Sequence, residues 1–168
     1  MMDTEKFLKS AEELLSPLGL PLSRSASFRL DAIVTTDTLV PAAKALMDGK
    51  WGYLSAITGL DIPAPAPAEG ETPGENHMEV LYQFCNGPAV TTLRITVPYS
   101  KPVVPSICGI IPMATLYERE IIEMFGITME GTPNTDKLLL PDDWPDGVFP
   151  LRKEFTGFGT KPAGVEGA

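Results

Sequence analysis

Between Met78 and Val97 the sequence commits to a β-hairpin. Met78, Val80, Tyr82 and Phe84 alternate with Glu79 and Gln83 up to Cys85, a period of two that sends one set of side chains into a core and the other outward. Asn86-Gly87 follows; both residues tolerate positive φ, which predicts a tight turn into a second strand at about Ala89 to Val97. Any fold for this chain must supply partners for those strands and a layer to bury one face.

The preceding residues supply both. Thr4 can cap a helix in which Phe7, Leu8, Ala11, Leu14, Leu15 and Leu18 share a face at helical spacing, and the stretch from Pro17 to Pro21 ends it. From Phe28 to Thr35, Phe28, Leu30, Ala32 and Val34 alternate with Arg29, Asp31 and Thr35 as a half-buried strand does. Residues 38–48 read as a helix with Pro41 in its first turn and Gly49 as its stop. A further strand runs from about Trp51 to Leu60. Between it and the hairpin, residues 62–76 are rich in Pro, Gly and acid, the composition of a flexible surface loop. The fold class is α+β: a small, mainly antiparallel sheet flanked by helices, with an extended Pro/Gly-rich C-terminal tail. A chain of 168 residues suits one such domain, placed at 1–126, with the tail at 127–168.

Charge and motif content exclude several classes. The net charge is -9 and the basic residues are scattered, so phosphate neutralisation gives no drive toward DNA or RNA. No apolar run approaches the ~20 residues of a membrane-spanning helix. The start, Met1-Met2-Asp3-Thr4-Glu5-Lys6, lacks the features of a secretory signal, which predicts a cytoplasmic location. Cys85 and Cys108 are therefore expected as free, buried thiols. With His77, the single histidine, they fall short of a usual zinc or iron-sulfur ligand set, so no cofactor or metal is assigned to this chain. Phosphate-loop, dinucleotide and nucleophile-elbow motifs are absent. Asp142, Asp143 and Asp146 could suit a hard cation, but beside Pro and Gly they read as turn residues.

The densest information lies in Ile110–Phe125, read as a helix ended by Gly126. At ~100° per residue, Met113, Leu116, Tyr117, Ile121 and Met124 gather on one face, with Glu120 inside that face. Glu118 and Arg119 point elsewhere, and Arg119 can pair with Glu123. A carboxylate on an apolar face needs a cation or several donors; Arg152, Lys153 or an arginine from a partner could answer Glu120. It reads either as a buried ion pair pinning the tail or as a proton-transfer group.

Residues 127–168 carry Pro133, Pro141, Pro145, Pro150 and Pro162 and little periodicity, so they cannot build a core of their own. Yet Leu138, Leu139, Leu140, Trp144, Val148, Phe149, Leu151, Phe155 and Phe158 are too apolar for a solvated linker. Wrapping a partner accounts for both facts, the aromatics serving as anchors. Folding back over the sheet is the other use.

The run from Tyr117 through Glu118, Arg119, Glu120, Ile121, Ile122, Glu123, Met124, Phe125 and Gly126 to Ile127 resembles the signature of the thirty-kilodalton subunit of complex I, the NADH-quinone oxidoreductase. Glu130-Gly-Thr-Pro-Asn134, Leu138-Leu-Leu-Pro-Asp-Asp-Trp144 and Pro150-Leu-Arg-Lys-Glu-Phe155 follow in that family's order. Quinone-reducing members usually have an aspartate at position 123, a histidine at 132 and an arginine pair near 136 and 137. Here those positions hold Glu123, Thr132, Asp136 and Lys137. The long link from Trp144 to Lys153 looks more like the branch in energy-converting membrane-bound [NiFe] hydrogenases.

The resemblance implies a cofactor-free hydrophilic subunit, peripheral to the cytoplasmic side of the membrane. It would dock on the large electron-transfer subunit, with iron-sulfur clusters and a possible nickel-iron centre in the partner subunits. Glu118, Arg119, Glu120, Trp144, Phe149, Arg152 and Lys153 are the expected structural and docking residues, none of them catalytic. Two other readings remain open at this point: an autonomous small enzyme using Glu120 as general acid or base, and a free-standing binding module using the proline-rich loop.

Overall fold

A computed structural model describes residues 4–65 and 74–157. In chain order its elements are helix α1 (Thr4–Leu15), strands β1 (Leu22–Ala26) and β2 (Arg29–Val34), helix α2 (Thr36–Asp48), and strands β3 (Tyr53–Ile62), β4 (His77–Asn86), β5 (Ala89–Pro98) and β6 (Val103–Pro105). Helix α3 (Ala114–Phe125) and strand β7 (Thr128–Glu130) complete the set.

The hairpin is β4–β5, paired antiparallel from His77 opposite Pro98 to Asn86 opposite Ala89. Its turn is therefore Gly87-Pro88, one residue later than expected. Gly87 takes a φ of 56°, and a glycine at the first central position is what a type II′ turn requires. β3 pairs antiparallel with β4, β2 pairs parallel with β5, and β1 forms an edge beside β2, giving the order β1-β2-β5-β4-β3. The α+β reading holds, and the sheet is mainly antiparallel. Its one parallel contact arises because α2, β3 and β4 intervene between β2 and β5.

The core follows from the alternation. Met78, Val80, Tyr82 and Phe84 of β4 and Leu93, Ile95 and Val97 of β5 are buried with Leu8, Ala11 and Leu15 of α1 and Leu39, Ala42, Ala43 and Leu46 of α2. In β2, Leu30, Ala32 and Val34 join them, but Phe28 precedes the strand and is 48% exposed. α2 begins at Thr36, two residues earlier than predicted, so Pro41 lies inside it rather than in its first turn. The Thr35 amide donates to Thr38 Oγ1 at 2.8 Å, which fixes that earlier start. β1, Leu-Ser-Arg-Ser-Ala, had no apolar alternation to announce it. Parallel pairing of β6 with β7 carries backbone hydrogen bonding past Gly126.

α3 starts at Ala114 rather than Ile110, with turns before it. Pro112 disfavours helical geometry at Ile111 and so delays the start. The helix lies on β3: Tyr117 Oη donates to the Ser55 carbonyl at 3.0 Å, in the register break between Leu54 and Ala56. Farther along, the Phe125 ring takes the space a side chain would need at Gly59, where a Cβ would stand 2.5 Å from it. Of the proline-rich loop, residues 66–73 lie outside the described residues, as do Phe158 and Pro162 of the tail; at the loop's base the Ala64 amide donates to Asn76 Oδ1 at 2.9 Å. Among the described residues no helix is long and apolar enough to cross a membrane.

Candidate partner-docking site

The carboxylate that α3 turns into the core is Glu118, not Glu120. The helix is turned by about a quarter of a revolution from the predicted facing. Ala114, Glu118, Ile121 and Phe125 form the buried stripe, whereas Met113 and Leu116 are 64% and 47% exposed. The late start after Pro112 and the seat of Phe125 on Gly59 set this rotation. Glu120 is half-buried and accepts no hydrogen bond among the described residues.

Among the described residues no cation answers Glu118. Its carboxylate accepts from Ser106 Oγ at 2.8 Å, the Ile107 amide at 2.9 Å and Cys108 Sγ at 3.2 Å. Three neutral donors offset the desolvation of the charge and tie the segment after β6 to the helix. The match expected between Glu120 and Arg152 or Lys153 is not made among the described residues, where Arg152 pairs with Glu154 at 3.6 Å. Around Glu118, burial pushes the Cys108 thiol above its ordinary pKa, with the Glu118 charge adding to the rise. The Tyr82 phenol is raised far by burial and then by Glu118 and Cys108. Such a cluster favours neutral thiol and phenol. Cys85 and Cys108 are both free, Cys108 buried and Cys85 half-buried.

Arg119 and Glu123 do not pair with each other. Both reach across to the tail's backbone, with opposite polarity. Arg119 donates to the carbonyls of Asp136 (2.8 Å) and Lys137 (2.7 Å), while Glu123 accepts from the amides of Leu138 and Leu139, the latter at 2.9 Å. These side chains lie on the side of α3 away from its core stripe, so the tail runs over the outer face of the helix. Glu123 is thereby buried. Lys137 in turn donates to the carbonyls of Pro141, Asp142 and Trp144, closing the next segment into a turn.

A second fastening lies at the end of the helix. Gly126 adopts a left-handed φ of 68° and its amide returns to the Ile122 carbonyl. The Phe149 ring packs where a Cβ on Gly126 would stand, 2.3 Å from its nearest carbon. Arg152 lies within cation–π distance of Phe149 and Tyr99, at 4.5 and 4.8 Å, and donates from Nε to the Phe125 carbonyl at 2.7 Å. Asp61 accepts from Tyr99 Oη and from the Lys153 amide. Burial and then the Asp61 hydrogen bond push the Tyr99 phenol up to about 12. The Leu151 amide donates to the Met124 carbonyl at 3.1 Å. Trp144 donates to the Val148 carbonyl at 2.8 Å and its ring lies 6.0 Å from that of Phe155.

Of the residues singled out in the sequence, Arg119, Phe149, Arg152 and Lys153 thus meet around the outer face and end of α3, and Trp144 closes the turn beyond them. Glu118 faces the interior, and Glu120 stands apart. Sequence reasoning missed Glu123, Lys137 and Asp61, which hold backbone groups and therefore leave no periodic mark. The arrangement can hold a chain segment in place. The Cys108 thiol and the Glu118 carboxylate are buried together, and neither Glu118 nor Glu120 lines the surface cleft of 440 Å³ by Thr36 and Lys101 or that of 380 Å³ by Phe7 and Trp51.

Residues 32–161 match the family described as respiratory-chain NADH dehydrogenase, 30 Kd subunit. The chain belongs to this family. Among curated relatives, formate hydrogenlyase subunit 5 of Escherichia coli (strain K12) is 42% identical over 95% of the chain, which covers 27% of that protein. Membrane-bound hydrogenase subunit beta of Pyrococcus furiosus is 39% identical over 49% of the chain and 47% of its own length. The C subunit of the NADH-quinone oxidoreductase of Roseiflexus sp. (strain RS-1) is 32% identical over 85% of the chain and 80% of its own length. The chain thus spans about a quarter and about half of the first two.

Two solved structures share the fold of this 30 Kd family member. A trypsin-resistant fragment of Nqo5 superposes with a TM-score of 0.62 at 22% identity, covering 76% of the chain and 98% of the fragment. A chain of the membrane-bound sulfane sulfur reductase, an archaeal respiratory membrane complex, gives 0.62 at 21% identity, covering 89% of this chain and 85% of that one.

Proposed function

We propose that this 30 Kd family chain is a hydrophilic, cofactor-free subunit of a complex-I-like, membrane-associated redox assembly. It docks on the large electron-transfer subunit at the cytoplasmic face and contributes to energy conversion indirectly, with iron-sulfur clusters and a nickel-iron centre held by partner subunits. The observation that carries the reading is the tail. Residues 131–157 hold no helix or strand, yet they are fastened over α3 and leave Leu138, Leu139 and Leu151 exposed at 37%, 60% and 52%. Large apolar side chains displayed by an ordered segment are the usual mark of a protein interface.

The hydrogenase branch is the better-supported home. Glu123, Thr132, Asp136 and Lys137 depart from the quinone-reducing pattern, and two of the relatives are hydrogenase and hydrogenlyase subunits. Structural and docking residues are Arg119, Trp144, Phe149, Arg152 and Lys153, with Glu118 and Glu120 acting on the helix that carries them. The test is gentle affinity purification of the tagged full chain from solubilised native membranes, with partners identified by mass spectrometry and nickel and iron assayed. Recovery of a large redox subunit with membrane partners is the expected result, and nickel identifies the hydrogenase branch. A chain that elutes alone as a stable monomer overturns the reading.

A further inference from the structure

The charges around the tail are sorted. Arg119 and Lys137 donate to main-chain carbonyls of the subunit itself, and Arg152 donates to one from Nε and pairs with Glu154 at 3.6 Å. The charge of these three therefore supports the tail from within, and the exposed Lys153 is outnumbered by the exposed Asp136, Asp142, Asp143, Asp146 and Glu154. On the outside, Asp142, Asp143 and Asp146 are exposed and make no ion pair among the described residues. They stand in the same tail as Leu138, Leu139 and Leu151, whose amides are anchored on consecutive α3 residues, Glu123 and Met124.

We infer that the leucines anchored on Glu123 and Met124 form one preformed docking ridge, and that its occupant is a protein surface with an apolar groove bordered by Lys and Arg. This rests on the assembly reading above and specifies the partner's chemistry. Electrostatics selects among occupants. A second copy would bring the same acidic segment and the same net charge of -9, and like charges set opposite each other oppose association. An anionic lipid surface is excluded by the same repulsion. A protein groove with a basic border is attracted by the aspartates and desolvates the leucines. Arg119 and Arg152 position the ridge, and the subunit presents acid.

The test compares tagged full-length chains recovered from solubilised native membranes across a salt series. Asp142→Lys, Asp143→Lys and Asp146→Lys together should lower recovery of redox partners about tenfold or more and shift release to lower salt, because reversal turns attraction into repulsion. Equal charge changes at the exposed Glu5, Glu13 and Asp48 should leave recovery unchanged. Leu139→Ser should lower recovery at every salt concentration. The corresponding Asp→Asn triple preserves side-chain size, and thermal unfolding of each purified variant confirms its fold. Retention of partners within about twofold by both triples overturns the basic-groove inference while leaving assembly membership intact. Recovery of redox partners plus a second copy bridged through the tail overturns it also. Failure of the unaltered chain to recover redox subunits instead overturns the proposed function itself.

Discussion

The sheet domain and the tail are held by different physics. Around β4 and β5, the fold rests on buried apolar side chains with Leu8, Leu15, Leu39, Tyr82, Phe84 and Leu93 fully enclosed. Residues 131–157 contribute little to that core and are held by polar side chains gripping backbone groups, above all Arg119, Glu123, Lys137, Asp61 and Arg152. Burial of the first kind is collective, so losing one member weakens the whole domain. Fastenings of the second kind are few and local. One substitution there can release a stretch of tail while the sheet remains folded.

The contrast is open to graded tests. Phe84→Ala should cost about 3–5 kcal/mol of global stability by emptying the centre of the core, measured by urea unfolding. Glu118→Ala should cost roughly 2–3 kcal/mol, since three donors, two of them buried, lose their acceptor. Glu118→Gln should cost less because its carbonyl still accepts. A loss confined to the tail would show that the carboxylate belongs to the second kind of fastening. Glu123→Ala should change the global midpoint by only about 0.5–1.5 kcal/mol while greatly accelerating amide exchange at Leu138 and Leu139. Exchange unchanged at those two amides would contradict the clamp.

The smallest effect concerns alkaline pH. Tyr99 stays protonated in the folded chain up to about 12, whereas an unfolded tyrosine ionises near ~10. Between those values the unfolded state binds fewer protons, so stability is fully present below ~10 and falls as pH rises toward about 12. Tyr99→Phe should reduce this decline in a thermal-unfolding series, the part left belonging to Tyr82 and Cys108, which burial also raises. Persistence of the full decline in the variant would assign it to other groups.

How much of this was readable without coordinates depends on what makes the mark. β4 and β5 were legible because one core face enforces strict alternation, and α1 because Leu8, Ala11 and Leu15 repeat at helical spacing. β1 was not, since an edge strand of Leu-Ser-Arg-Ser-Ala buries almost nothing. The facing of α3 misled because the stripe through Met113, Leu116 and Tyr117 is more apolar by composition than the one through Ala114, Glu118, Ile121 and Phe125. Position was decided by Gly59 and Pro112, at a distance that periodicity does not see. Trp144 and Phe149 stood out because the tail is too apolar for a linker, and Arg152 as a cation beside an apolar helix, with the family resemblance adding to Trp144 and Arg152. Glu123 and Lys137 act on backbone, which any residue supplies, so their partners carry no sequence signature.

The parallel contact between β2 and β5 bears on biosynthesis. On the ribosome, Arg29–Val34 emerges long before its neighbour Val90–Ile95, and only its short hairpin with β1 can form meanwhile. Leu30, Ala32 and Val34 wait through the synthesis of α2, β3 and β4 with one side unpaired. A nascent chain stalled before Ala89 exposes that strand edge, which makes the interval a natural point for chaperone engagement.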